Sequence, residues 1–188
     1  MKKIAILFGI IAVFLLMPGC VGVLYYNRLV SLHEAVGAGW AQVENVLQRR
    51  YDLIPNLVNT VKGYAKHEKE LFEEVTRLRS QWGEAKTPAE KVRASGGLEA
   101  ALSRLLLVAE RYPDLKANQN FLALQDELAG TENRIAVERM RYNEAVRNYN
   151  ILTRRFPSNV VAGLTGFETS DNYFKAETEA KAAPPVQF

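Results

Sequence analysis

The stretch FLALQDELAGTENRIAVERMRYNEAVRNYNILTRRFP, residues 121–157, decides the fold. One set of positions recurs through it at alternating steps of three and four: Phe121, Leu124, Leu128, Thr131, Ile135, Glu138, Tyr142, Ala145, Tyr149, Leu152 and Phe156. That is a heptad stripe down one face of a long helix, and it favours left-handed packing against neighbours. Pro157 ends the helix, because it lacks an N–H and its ring crowds the preceding turn. Glu138 is the one charge in the stripe. An unpaired charge there is costly, so a partner is expected, with Arg49 and Arg50 as candidates.

Working toward the N-terminus, Pro113 disfavours helix at Tyr112, so an earlier helix ends near Arg111. It begins at Thr87-Pro88-Ala89-Glu90, where threonine caps, proline suits the first helical position and Glu90 reaches back to complete a box. Its apolar positions are Val92, Leu98, Leu102, Leu105, Leu106 and Ala109, and Gly83 to Lys86 is the turn before it. Further back, Leu29, Leu32, Val36, Trp40, Val43, Leu47, Ile54, Leu57, Val61, Ala65, Phe72, Val75, Leu78 and Trp82 form a single stripe. Pro55 interrupts it and leaves the carbonyl of Tyr51 without its helical donor, which predicts a kink or a break. After Pro157, the segment Ser158–Phe174 reads as irregular, yet it keeps Val160, Val161, Leu164, Phe167, Tyr173 and Phe174 and should fold back onto the bundle end. Short connections make successive helices antiparallel. The expected fold is therefore all-α: an elongated antiparallel bundle with coiled-coil-like packing over residues 27–174. The stretch 175–188, rich in alanine and with Pro184 and Pro185, reads as a disordered tail.

Residues 1–26 give the chain an address. Lys2 and Lys3 precede an uncharged apolar run from Ile4 to Tyr26, long enough to cross a bilayer, where roughly 20 residues suffice. The lysines belong on the cytoplasmic side, which puts the remainder outside the cytoplasm. A retained anchor, a lipoprotein signal and a cleaved secretory signal all begin this way. Leu16-Met17-Pro18-Gly19-Cys20 resembles a lipobox and makes Cys20 a lipidation candidate. The apolar run continues past Cys20 to Tyr25 and Tyr26, as an anchor with interfacial aromatics would.

Cys20 is the only cysteine, so intramolecular disulfides and cysteine-rich metal sites are excluded. The net charge of +3 comes from 24 basic and 21 acidic residues; without Lys2 and Lys3 the balance is 22 to 21. The charges are interspersed, and nothing suggests a nucleic-acid partner. His33 and His67 are too far apart on the helical stripe to share a ligand and read as surface residues. His67-Glu68 lacks the second histidine of a zinc-protease motif, and no glycine-rich phosphate loop occurs. Glu138 has no second carboxylate at a useful spacing for acid–base work. No catalytic residue, metal, cofactor or small-molecule substrate is expected.

The best candidate surface is polar. Gln42, Asn45, Arg49, Asp52, Asn56 and Asn59 recur at steps of three and four beside the apolar stripe. A solvated face is usually richer in Lys and Glu. Amides with one Arg and one Asp point to specific hydrogen bonds. These are made either within the bundle, with Glu132, Asn133, Glu138, Arg139 and Asn143 as facing residues, or to a partner. The structural reading expects Asp52 to be a stabilising residue with arginine neighbours in Arg49 and Arg139.

Several blocks carry a family resemblance. They are residues 41–65 (AQVENVLQRRYDLIPNLVNTVKGYA), Tyr112–Asn118 leading to Phe121, Gly130–Ala136, Tyr142-Asn143, Tyr149-Asn150 and Phe156–Asn159. Occurring in this order over roughly residues 25–174, they resemble the LemA family. The resemblance implies a membrane-attached bacterial protein with a coiled-coil-like helical domain and no enzyme activity. Genes of the family often lie beside those of a membrane zinc peptidase of the HtpX type or of TPM-domain proteins. The functional expectation is a non-catalytic scaffold or adaptor of the cell envelope, engaging the membrane and other envelope proteins or itself. The alternative is an accessory or substrate-presenting factor for that peptidase.

Overall fold

The computed structural model describes the backbone of residues 2–174 and the side chains of residues 19–174. Among the described residues all regular structure is helical: α1 (Lys2–Asp52), α2 (Ile54–Lys62), α3 (Lys69–Glu84), α4 (Pro88–Ala109), α5 (Pro113–Lys116), α6 (Gln119–Arg154) and α7 (Ser158–Thr165). Most side chains of the Ile4–Tyr26 run, and the whole of the 175–188 tail, lie outside the described residues. Among those described, no helix is long and apolar enough to cross a membrane.

The chain forms two compact units. One joins residues 1–39 to residues 139–188, and the other is residues 40–138.

In the second unit the long stripe has become three helices. Leu53 breaks the first from the second, as Pro55 requires: its N–H reaches only Arg50 O, at 3.2 Å. The carbonyl of Tyr51, which Pro55 cannot serve, accepts instead from Arg79 Nε at 3.1 Å. The continuous helix expected through to Trp82 is interrupted a second time. α2 ends at Lys62, and Gly63 to Glu68 form turns closed by Ala65 N–Val61 O (2.9 Å) and Glu68 N–Ala65 O (3.2 Å). A turn of roughly the stripe's own period keeps Ala65 and Phe72 inside while reversing the chain, so the apolar pattern does not betray it. Of the stripe, Val43, Leu47, Ile54, Leu57, Val61, Ala65, Phe72, Val75 and Trp82 are buried. Burying each large apolar side chain contributes about 1.5–3 kcal/mol. The Tyr51 and Trp82 rings meet edge to face at 4.4 Å.

α4 opens as its sequence predicts. Thr87 Oγ1 accepts from Glu90 N at 3.2 Å, and Glu90 Oε2 accepts from the Thr87 and Lys86 backbone N–H groups at 3.0 and 2.9 Å. Those donors, Lys86 first, hold the Glu90 carboxyl below the ordinary carboxylate value. α4 packs antiparallel to α3, with Leu98, Leu102 and Leu105 buried and Arg104 paired to Glu74 at 2.6 Å. The stripe position Val92 is partly exposed instead.

The first unit joins the early part of α1 to the late part of α6. Gly39 approaches Tyr142 so closely that an added Cβ would touch its Cα at 3.5 Å. His33 lies 5.5 Å from the Tyr149 ring, and Leu29 packs with Tyr149 and Ala162, backed by Leu32, Val36, Leu152, Val161 and Phe167. The α6 stripe is buried at Phe121, Leu128, Thr131, Ile135, Tyr142 and Tyr149, while its last member, Phe156, points to solvent. The segment after Pro157 does fold back, but it is not irregular throughout. α7 forms first and closes at Gly166, whose φ of 78° suits glycine, with Phe167 N–H returned to Ala162 O at 3.0 Å.

Candidate functional site

The polar stripe lies on the outside. Gln42, Asn45, Arg49, Asp52, Asn56 and Asn59 are all exposed, because each stands on the face of α1 or α2 opposite Val43, Leu47, Ile54, Leu57 and Val61. Hydrogen bonding within the bundle is therefore not the role of most of these residues. Among the described residues the amides of Gln42, Asn45 and Asn59 bond to no other side chain or backbone group. Arg49 forks onto Glu127 Oε1 of α6 at 2.6 and 3.1 Å. Asp52 accepts from Gln48 Nε2 at 2.7 Å and has Arg79 at 3.8 Å. Neither Arg49 nor Arg139 is its partner.

The second half of the stripe opens onto a groove. Leu53, Asn56, Asn59 and Thr60 form one wall, and Asn120, Ala123, Leu124 and Glu127 of α6 form the other, around about 500 Å³. The Thr60 hydroxyl donates to the Asn56 backbone carbonyl at 2.8 Å, and the Asn56 side chain is exposed. Arg49–Glu127 closes one end. Chemically this is an array of neutral donors and acceptors over a short apolar floor. It suits recognition of another polypeptide and contains no nucleophile beside a base.

The expected facing residues divide. Glu132 pairs with Arg50, and Asn133 is exposed. Glu138 is half-buried, and of the two arginines named as candidates for it Arg49 pairs with Glu127 and Arg50 with Glu132. Asn143 and Arg139 belong to the other unit and hold Phe174. Asn143 Nδ2 donates to Phe174 O and its Oδ1 accepts from Phe174 N, both at 2.9 Å, while the Arg139 guanidinium lies 5.2 Å over the Phe174 ring.

Asn150 and Tyr149 serve the segment after α7 rather than the polar stripe. Buried Asn150 donates to Ser170 O at 2.7 Å and to Tyr173 Oη at 3.1 Å, and accepts from Ser170 N at 2.9 Å. Tyr149 Oη donates to Glu168 O at 2.7 Å. Burial raises the Tyr142 and Tyr149 phenols above their ordinary value, and the Glu168 charge adds to the shift at Tyr149. The signal was present: Asn143 and Asn150 stand seven apart, on one face of the heptad.

Cys20 is a free, exposed thiol. His33 and His67 are both exposed, and among the described residues no cluster of three His, Cys, Asp or Glu side chains is placed to hold a metal.

Comparison with known proteins gives a family and several relatives. Residues 39–188 match the model of the LemA family. The chain is 29% identical to "Magnetosome protein MamQ 2" of Paramagnetospirillum magneticum, over 80% of this chain and 64% of that protein. It is 26% identical to "Magnetosome protein MamQ" of Magnetospirillum gryphiswaldense, over 76% and 62% of the two chains. It is 23% identical to "Protein LemA" of Metamycoplasma hominis, over 74% and 64%. The chain thus spans a little under two thirds of the length of these relatives. Their names speak of no peptidase, and the peptidase-accessory expectation finds no support in them.

Proposed function

The chain belongs to the LemA family, and from that premise we propose that it is a membrane-tethered, non-catalytic adaptor of the bacterial envelope. Its groove beside Asn56 and Asn59 docks a segment of another envelope protein, and the helical domain faces away from the cytoplasm. The observation that carries this reading is the exposed amide stripe. The amides of Gln42, Asn45 and Asn59 retain their hydrogen-bonding capacity. Polar groups that leave water must be re-paired, so such a surface favours a partner with matched backbone donors and acceptors.

The retained anchor rests on the sequence, where the apolar run continues past Cys20 to Tyr25 and Tyr26. The Ile4–Tyr26 run has the length and the flanking lysines that an anchor needs.

The test is site-specific photocrosslinking in native membranes. A photoreactive residue at Asn45 or Asn56 is expected to capture a discrete protein adduct. The same residue at exposed Ser103, on the outer face of α4, is expected to capture none. Equal labelling at all three positions, or none at Asn56, rejects the docking surface.

A further inference from the structure

α7 carries no charge from Ser158 to Thr165, yet the fold uses only one side of it. Ser158 and Ala162 are buried and Val161 is half-buried against the Leu29–Tyr149 cluster. The other side shows Val160 at 52% and Leu164 at 83% exposure, and Phe156, four residues before Val160, at 77%. A helix on a water-facing surface turns polar residues outward. This one turns Val160 and Leu164 outward one turn apart, with Phe156 exposed in the turn just before it, beside exposed Arg154 and Arg155.

The register within this unit says what lies next to these side chains. Gly39 meets Tyr142, His33 meets Tyr149, and Leu29 packs with Tyr149 and Leu152, all in one antiparallel alignment. Continued by one turn, the alignment brings Arg154–Phe156 level with Tyr25–Arg28, the end of the apolar run. Tyr26 lies 6.0 Å from the Phe167 ring just after α7. Val23 and Leu24, on the adjoining turn of α1, are 59% and 69% exposed. The basic residues at this level are Arg28, Arg154 and Arg155. On the segment after α7, Asp171 lines a shallow pocket with Arg154 and Arg155, and Glu168 is bonded through its carbonyl to Tyr149.

We propose that the outer face of α7, formed by Val160 and Leu164, together with Phe156 in the turn before it, docks into the headgroup–acyl boundary of the bilayer that holds Ile4–Tyr26, with Arg154 and Arg155 on anionic headgroups. The continuity of this patch with the apolar run and its flanking arginines select a lipid surface as the occupant. Amphipathic seating of this kind places apolar side chains at acyl depth while the long arginine stems carry their charge to the phosphates. The inference rests on the anchoring reading above, and it adds a second, reversible contact that fixes the attitude of this unit on the membrane.

The experiment uses the full chain, with Cys20 replaced by serine and an environment-sensitive fluorophore attached at Leu164→Cys. A second labelled chain carries the fluorophore at Glu144→Cys, an exposed position about three turns further along α6. Both are reconstituted in vesicles of phosphatidylcholine and phosphatidylglycerol containing a shallow nitroxide-lipid quencher. The expected result is blue-shifted, quenched emission at position 164 and water-like, unquenched emission at 144. Arg154→Gln with Arg155→Gln, or removal of phosphatidylglycerol, should reduce the quenching at 164. A chain that floats with the vesicles but shows water-like emission at 164 overturns the docking and leaves the anchor standing. Blue-shifted emission that lipid does not quench identifies a protein neighbour, such as a second copy, and also overturns it. A chain that fails to float overturns both readings.

Discussion

Tyr51 illustrates how a single backbone atom organises its neighbourhood. Pro55 deprives its carbonyl of a helical donor, and Arg79, from α3, supplies one at 3.1 Å. Removing that donor leaves a buried acceptor unmet, so Arg79→Ala should destabilise the chain by about 1–3 kcal/mol in a denaturant titration. The cost should shrink by at least ~0.5 kcal/mol in a Pro55→Ala background, where the N–H at position 55 returns; an unchanged cost would reject the account. Asn150 has three hydrogen bonds to the returning segment and little water to replace them. Asn150→Ala should likewise cost about 1–3 kcal/mol. Asp52→Ala should change stability by less than ~0.5 kcal/mol, since its partners are exposed and its ion pair is long. The stripe's spacing in the sequence is the same whether it faces in or out; only the position of α6 decides. For that reason the spacing of these residues was legible and their exposure was not.

At the scale of elements, local chemistry was read most securely. The box at Thr87–Glu90 follows from four adjacent residues, and it formed as expected. Thr87→Ala should cost about 0.5–2 kcal/mol. Glu90 adds a pH dependence of known sign. Its carboxyl titrates lower in the folded chain than in the unfolded one, so its contribution is fully present above the ordinary carboxylate value of 4.5. The contribution is lost as pH falls from there through the lowered folded value. The stability gap between the native chain and Glu90→Gln, followed by thermal melts, should therefore close on acidification; a gap that widens would contradict the box. The turn at Gly63–Glu68 and helix α7 escaped prediction for different reasons. At the turn the apolar residues keep a helix-like spacing across the chain reversal, and in α7 the segment is too short for a repeating stripe to mark it as helix; the left-handed φ of Gly166, where α7 closes, is visible only in the folded chain.

For the whole molecule, the all-helical class and the family were both legible, because heptad spacing and ordered sequence blocks survive without knowledge of tertiary contacts. The division into two units was not, since α1 and α6 each contribute to both, and an uninterrupted stripe carries no mark of that boundary. On the anchoring reading, Cys20→Ser should leave membrane association unchanged in a carbonate wash. Protease added outside intact spheroplasts should remove the helical domain. Detection of a lipid-modified cysteine at the mature N-terminus, or protection of the domain until lysis, would reverse those two statements respectively.

The two units also differ in how the chain supplies them. Residues 40–138 are contiguous, whereas the other unit needs residues from before and after them, and its Asn143 and Asn150 close on Ser170, Tyr173 and Phe174. During synthesis the contiguous unit is complete once Glu138 has emerged. The other unit must wait, its first half already committed, until Ser170 to Phe174 leave the ribosome. Bringing its halves together around an unfolded insert would close a long loop, whereas folding the insert first shortens that closure. The order of assembly is thereby written into the order of the chain. A nascent chain stalled shortly after Glu138 has cleared the exit tunnel should already resist brief proteolysis between Trp40 and Glu138, while Leu29 and its surroundings remain open to cleavage.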